Sequence, residues 1–198
     1  NNPIHYNYPP IKLDHLKKMT TNLGIIQFSK ISEPDSTSGY TLDDNARALI
    51  VMCLHYKLYK EQESLYYLTK YLNFIQRCQT SSGTFVNYID ANNHEHIKNN
   101  HINLEDSNAR AVWALGTVIS LKAYLPKEII DLATFCFMDS LPWVKNILSP
   151  RSIGFAVKGL YLYYGVTKDR RIAFVIEKLV KNLITDYDES ATVDWKWF

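Results

Sequence analysis

The sequence predicts an all-α fold of stacked helical hairpins. Three observations point to it: six segments with helical spacing of apolar residues, little strand-like alternation between them, and a motif that recurs at two helix starts. A parallel α/β fold would need strands between the helices, and the sequence does not supply them. Hydrophobic residues make up 46% of the 198 positions, enough for one sizeable core or two small ones.

Each element can be justified in chain order. Residues 1–11 (NNPIHYNYPPI) are rich in Pro, Asn and Tyr and read as an extended arm on a single domain spanning 1–198. KLDHLKKMTTNLG has a short helical pattern that Gly24 stops. IIQFSK reads as a strand or an apolar edge, and ISEPDSTSGYTLDD is a loop of turn formers. Glu33 and Asp35 sit on that turn. A helix is expected over 43–59. A second is expected over 61–79, with Leu65, Leu68, Leu72 and Ile75 on one stripe. Residues 81–103 are polar except for TFVNYI, which alternates as a small hairpin strand does. Further helices are expected over 105–123, 126–144, 150–164 and 168–186. Pro126 and Pro150 fall in first turns, where proline's missing N–H costs nothing. The charged start from Lys168 to Arg171 reads as exposed.

The repeat carries most of the functional information. Asp43-Asp44-Asn45-Ala46-Arg47-Ala48 matches Asp106-Ser107-Asn108-Ala109-Arg110-Ala111 at five of six positions, 63 residues later. PRSIGFAVKGLYL, from Pro150 to Leu162, is a weaker third copy. The bland explanation is structural. An aspartate at a helix start accepts hydrogen bonds from free N–H groups and meets the positive end of the helix dipole. Asp43 with Arg47, and Asp106 with Arg110, can bridge at i,i+4, and the alanines allow close helix approach. Caps need one polar side chain, however, and this motif places four in five positions. Asn45 and Asn108 are disfavoured in a first turn unless they contact something. In a ring of hairpins these starts would converge on one cavity. Carboxylates, amides and arginines there suit a hydroxyl-rich ligand, and paired carboxylates serve glycosidic-bond cleavage.

SGYTLDDNARALI, EDSNARAVWALG and SPRSIGFAVKGLYLYYG resemble the (α/α) toroid, six-hairpin-like domains of bacterial carbohydrate-active proteins. They resemble in particular domains that occur alone or beside glycosyltransferases. The resemblance runs from about Met19 to Phe198. It implies about six hairpins in an (α/α)6 barrel, of which this chain supplies about half. It also implies that related sequences continue past a segment like VDWKWF, so any catalytic residue of the second half lies elsewhere. Toroids host hydrolases, lyases, epimerases and binding modules, so the fold alone does not choose a reaction. The resemblance points at Asp43, Asp44, Asn45, Arg47, Glu105, Asp106, Asn108 and Arg110 as cavity residues. If the protein is a glycoside hydrolase, Asp43 or Asp44 is one catalytic carboxylate and Glu105 or Asp106 the other. Arg47 and Arg110 would hold the acids ionised or bind substrate, and Asn45 and Asn108 would bind substrate. Tyr40 and Trp113 are candidate stacking platforms, although the place of Trp113, more than one turn into its helix, favours packing in the core. The competing reading is a non-catalytic glycan-binding or scaffolding module associated with a glycosyltransferase.

Composition limits the partners. There are 22 basic and 20 acidic residues with no basic block, which disfavours nucleic acid. No signal sequence or membrane-length apolar run is evident, so a cytoplasmic protein without a membrane partner is expected. Cys53, Cys78 and Cys136 are odd in number and lack a CxxC spacing, so buried free thiols are expected. HEHIKNNH offers His94, Glu95, His96 and His101, but its Asn-rich setting reads as a solvated loop or lid, with no metal expected. No phosphate-binding glycine loop occurs and no cofactor is expected. The expected partners are a carbohydrate and, across an open hydrophobic edge, the missing half of the toroid or a second copy.

Overall fold

The computed structural model describes residues 9–192. Their order is α1 (Asp14–Lys18), β1 (Ser29–Lys30), β2 (Glu33–Pro34), β3 (Tyr40–Thr41), α2 (Leu42–Tyr59), α3 (Gln62–Cys78), β4 (Tyr88–Ile89), α4 (Glu105–Ser120), α5 (Lys127–Val144), α6 (Pro150–Thr167) and α7 (Arg170–Ser190). Most of the expected arm and the apolar end with Trp195, Trp197 and Phe198 lie outside the described residues.

The six long helices form three hairpins: α2–α3, α4–α5 and α6–α7. Helix α4 packs between α2 and α6, with α5 behind it. The first helix of each hairpin therefore belongs to an inner layer and the second to an outer one. Chain reversal is tight after α2 and after α6. Each of those helices ends on a left-handed residue, Lys60 at φ 58° and Lys168 at φ 57°, the geometry that stops a helix and frees the next residue to start another. The N-cap of α7 is Asp169, whose side chain accepts from the Arg171 N–H. Pro150 is in the first turn of α6, whereas Pro126 is the N-cap of α5 rather than its first helical residue.

The core runs between the layers. Tyr71, Phe74, Phe137, Leu49, Leu72 and Leu115 are fully buried there, each large side chain contributing about 1.5–3 kcal/mol. All three cysteines are free and buried. Burial raises the thiol of Cys53, Cys78 and Cys136, that of Cys136 to about 11, so they stay protonated and inert at neutral pH. The inner helices α4 and α6 meet at glycine. A Cβ on Gly116 would lie 2.3 Å from the Gly159 carbonyl oxygen, and one on Gly159 would lie 2.3 Å from that of Val112. Only residues without a side chain permit this approach.

The strands are shorter and pair further apart than local patterns foretell. Of TFVNYI only Tyr88–Ile89 is a strand, and it pairs antiparallel with Tyr40–Thr41. Of IIQFSK, Ile26 bridges to Tyr40, and Ser29–Lys30 pairs with Glu33–Pro34. These pieces gather at the N-terminal ends of the inner helices. No helix among the described residues is long and apolar enough to cross a membrane.

Candidate functional site at the inner-helix mouths

The first turn of α2 is built by Thr41. Its extended backbone makes it the N-cap, and its Oγ1 accepts from the Asp44 N–H at 3.2 Å. The Thr41 hydroxyl donates to Asp44 Oδ2 in return. The neighbouring N–H groups go to Asn87: Leu42 N donates to its carbonyl at 2.8 Å and Asp43 N to its Oδ1 at 3.1 Å. Thr41, Asp44 and Asn87 therefore satisfy this helix start. Asp43, which the sequence suggests as the cap, is left free for other contacts.

The first turn of α4 is satisfied differently. Asn103 Oδ1 accepts from Glu105 N at 2.7 Å. The Glu105 carboxylate crosses to α6, where Oε2 accepts from Ser149 N at 2.9 Å and Leu148 N at 3.4 Å. Glu105 thus pins the start of one inner helix to that of the next, and this accounts for its carboxylate without a catalytic task.

Asn45 and Asn108, expected to bind substrate, have their amides engaged by the chain's own backbone. Both are buried. Asn45 Oδ1 accepts from Ile25 N at 3.0 Å, while its Nδ2 donates to Thr41 O at 2.8 Å. Asn108 Oδ1 accepts from Phe85 N and its Nδ2 donates to Phe85 O, both at 2.7 Å. A carboxamide presents one acceptor and two donors in a plane, the complement of a backbone N–H and C=O. Each asparagine therefore clasps the loop segment that precedes its own helix, and no ligand is needed to explain it. Tyr40 is largely buried and tilted against Phe74, with its hydroxyl 3.0 Å from Thr21 Oγ1, and it also lines a cavity with Tyr88, Asp90 and His96.

Asp43, Asp44, Arg47, Asp106 and Arg110 do converge. Arg47 pairs with Asp44 and lies 3.3 Å from Asp43 Oδ2. Arg110 Nε lies 3.0 Å from Asp43 Oδ1, and its Nε and Nη2 each donate to Asp106 Oδ2 at 3.2 Å. Arg151 Nε then donates to Asp106 Oδ1 at 2.9 Å. The result is one string of alternating charge, Asp44–Arg47–Asp43–Arg110–Asp106–Arg151, laced through the starts of α2, α4 and α6. Sequence reasoning missed Arg151, although the third copy of the motif contains it: Arg151 stands where Asp43 and Asp106 stand in the other two.

The string runs along the concave side. Within α4 only Glu105, Asp106, Arg110, Trp113 and Ser120 escape burial. Asp106, Arg110 and Trp113 recur at the spacing of one helix face, so that face is the side left uncovered by α2, α5 and α6. Trp113 is half-buried and stacks on Phe155 of α6, with ring centroids 5.7 Å apart and planes 11° from parallel. The Arg110 guanidinium lies 4.2 Å from the Phe155 centroid, and Lys158 Nζ lies 4.2 Å from that of Trp113. Below the charged string, then, sits a layer of two rings and two cations. Phe155 and Lys158 carried no signal beyond their place in the weak third repeat.

Asp43 is the electrostatic outlier. Its Oδ1 is buried without a hydrogen bond, because Arg110 approaches in distance but not along an N–H direction. Burial raises its pKa, against the opposing pull of Arg47 and Arg110. A carboxyl raised in the fold binds its proton more tightly there than in the unfolded chain. It therefore destabilises the fold at pH above that raised pKa, and the penalty fades as pH falls through it. Asp43→Asn is expected to unfold at a higher urea midpoint than wild type at pH 7, with the difference closing toward pH 4. A lower midpoint at pH 7 would show that its ion pairs outweigh its burial.

Two cavities flank the mouths. One, of about 500 Å³, lies on the open side of α2 between Asp44, Arg47, Val51 and Met19, Gln27 and Phe28. The other, of about 300 Å³, lies over the start of α4 between Glu105, Asn103, Phe85 and Trp143. The histidine-rich loop is tied down near there by Asn99, whose Oδ1 accepts from Asn87 N and Tyr88 N. His94 lies 3.8 Å from Asp90, and His96 Nδ1 accepts from Lys98 N. No group of three or more metal-ligating side chains occurs among the described residues.

No protein-family model matches the chain, and no curated protein matches it in sequence. Solved structures do match in fold. Cellobiose 2-epimerase from Spirochaeta thermophila DSM 6192 superposes with a TM-score of 0.70 at 16% identity, over 93% of this chain and 54% of that one. D-mannose isomerase superposes with a TM-score of 0.60 at 13% identity, again over 93% of this chain and 54% of that one. The chain thus spans about half the length of each. The fold is that of a partial α/α toroid, as the sequence predicts.

Proposed function

We propose that the concave face of α2, α4 and α6 is a carbohydrate-binding surface, and that the protein bearing it is a carbohydrate-active enzyme. One observation carries the reading: the alternating charge string stands directly above the Trp113–Phe155 layer on the uncovered side of the inner helices. Rigid carboxylates and guanidinium groups at fixed positions suit sugar hydroxyls, and aromatic ring faces suit the C–H faces of sugars. The superposition on an epimerase and an isomerase that act on sugars supports the same class.

Within that class we favour binding and positioning over glycosidic-bond cleavage by these acids. Arg110 bridges Asp43 and Asp106 closely enough that their facing oxygens are within about 6 Å, a spacing compatible with a retaining pair. The space between them is filled by the guanidinium itself. A scissile bond cannot enter there, and both carboxylates are held by arginine. Asp44 is tied to Thr41 and Arg47, and Glu105 to the α6 backbone. A non-catalytic glycan-binding role remains the runner-up, because the same neutralised acids serve it equally well.

The test is titration of the chain with a panel of mono- and disaccharides by isothermal calorimetry, alongside Trp113→Ala. Stacking contributions of this kind predict that the substitution weakens binding by about threefold to tenfold. Product analysis of the same mixtures separates epimerised, isomerised and cleaved sugars. Absence of binding to any sugar, or equal binding by wild type and Trp113→Ala, would refute the assignment of this face.

A further inference from the structure

A second site lies on the outer layer, remote from the concave face. Helices α5 and α7 are neighbours there but hardly touch. The gap is a groove of about 490 Å³ lined by Lys145, Arg170, Arg171, Phe174, Val175 and Lys178. A gap between amphipathic helices is ordinarily closed by apolar side chains. Here the wall is mostly apolar, and four of the six residues that form it are basic, in a chain whose formal net charge is only +2. The one carboxylate at its edge, Asp169, is taken by Arg171, whose Nη2 lies 2.6 Å from Oδ2 and whose Nε bonds both oxygens. Lys178 Nζ donates to Lys145 O at 2.8 Å, which fixes one ammonium on the groove wall. Among the described residues no ion pair neutralises Lys145, Arg170 or Lys178. Phe174 stands beside them, 69% exposed.

We propose that this groove binds a phosphate monoester carried on a ring. Like charges gathered around a concave, partly apolar wall repel one another until an anion enters, and the low-dielectric wall strengthens the attraction when it does. The free Arg170 guanidinium offers the planar fork that matches phosphate oxygens, and the two lysines add point charges. Phe174 provides a flat face for the body of the ligand. The volume lies within the range of small-molecule sites. Sugar phosphates and nucleotides share this chemistry, and the experiment distinguishes them.

The full chain is titrated with glucose 6-phosphate, AMP, inorganic phosphate and glucose by calorimetry at low and at 0.5 M salt. Whichever of the first two is the natural source binds more tightly than inorganic phosphate, and glucose does not bind at this groove. Arg170→Gln combined with Lys145→Gln, both exposed positions, weakens phosphate-ester binding by about tenfold or more. Phe174→Ala weakens it by about threefold while leaving inorganic phosphate unaffected. An unchanged urea midpoint in both variants excludes a folding effect. Three outcomes overturn the proposal: no binding of either ester, binding untouched by the double variant, or inorganic phosphate binding as well as the esters.

Discussion

Valine at position 116 is expected to cost the fold about 3 kcal/mol or more. The first added carbon would meet the Gly159 carbonyl oxygen at 2.3 Å, and backbone cannot rotate away as a side chain can. Helices α4 and α6 must then separate. The Trp113–Phe155 stack and the Arg151–Asp106 pair span that same junction, so both should loosen with it. Urea denaturation gives the stability loss, and the tryptophan fluorescence of the native state should shift. A Gly116→Val protein with an unchanged midpoint would mean that the two helices can separate at little cost.

Asn108→Ala is expected to cost about 2–5 kcal/mol. The change strands the Phe85 N–H and C=O in a buried setting and leaves a hole where the amide was. Hydrogen exchange offers the sharper readout: the Phe85 amide should lose its protection selectively, before the helical amides of α4 do. Asn45→Ala should act likewise on Ile25, whose N–H is held by Asn45 Oδ1 at 3.0 Å. If the Phe85 amide kept its protection in Asn108→Ala, the clasp would be incidental to the loop.

Much of this architecture was legible in the chain because helices report themselves locally. The apolar spacing placed α2 and α3 within one or two residues of their ends. Helix α6 outran its expected end by three residues, to Thr167, because Lys168 adopts the left-handed conformation without a glycine. The strands were hardly legible. Tyr40–Thr41 finds its partner at Tyr88–Ile89, across a whole helical hairpin, and no local pattern encodes a pairing so distant. At the site, spacing alone anticipated that Asp43, Asp44, Arg47, Asp106 and Arg110 share one mouth. It did not foresee that Asn45, Asn108 and Tyr40 bond within the chain itself, since polarity near a helix start looks the same whether a side chain meets a ligand or the chain's own backbone or side chains. Arg151 was invisible for the opposite reason: its charge is reversed relative to the aspartates it replaces, so identity scoring discards the position that extends the string.

The asparagine clasps bear on how the protein acquires its shape. Asn45 reaches back to Ile25 and Asn108 to Phe85, closing stretches whose ends lie 20 and 23 residues apart onto the helices that follow. Closure entropy rises only slowly with loop length, so a pair of hydrogen bonds at the closing point goes far to hold each entrance. Two of the three hairpins carry such a clasp, whereas the third has Ile153 at the matching position, so its entrance depends on its neighbour: Glu105 of α4 accepts from Ser149 N at the start of α6.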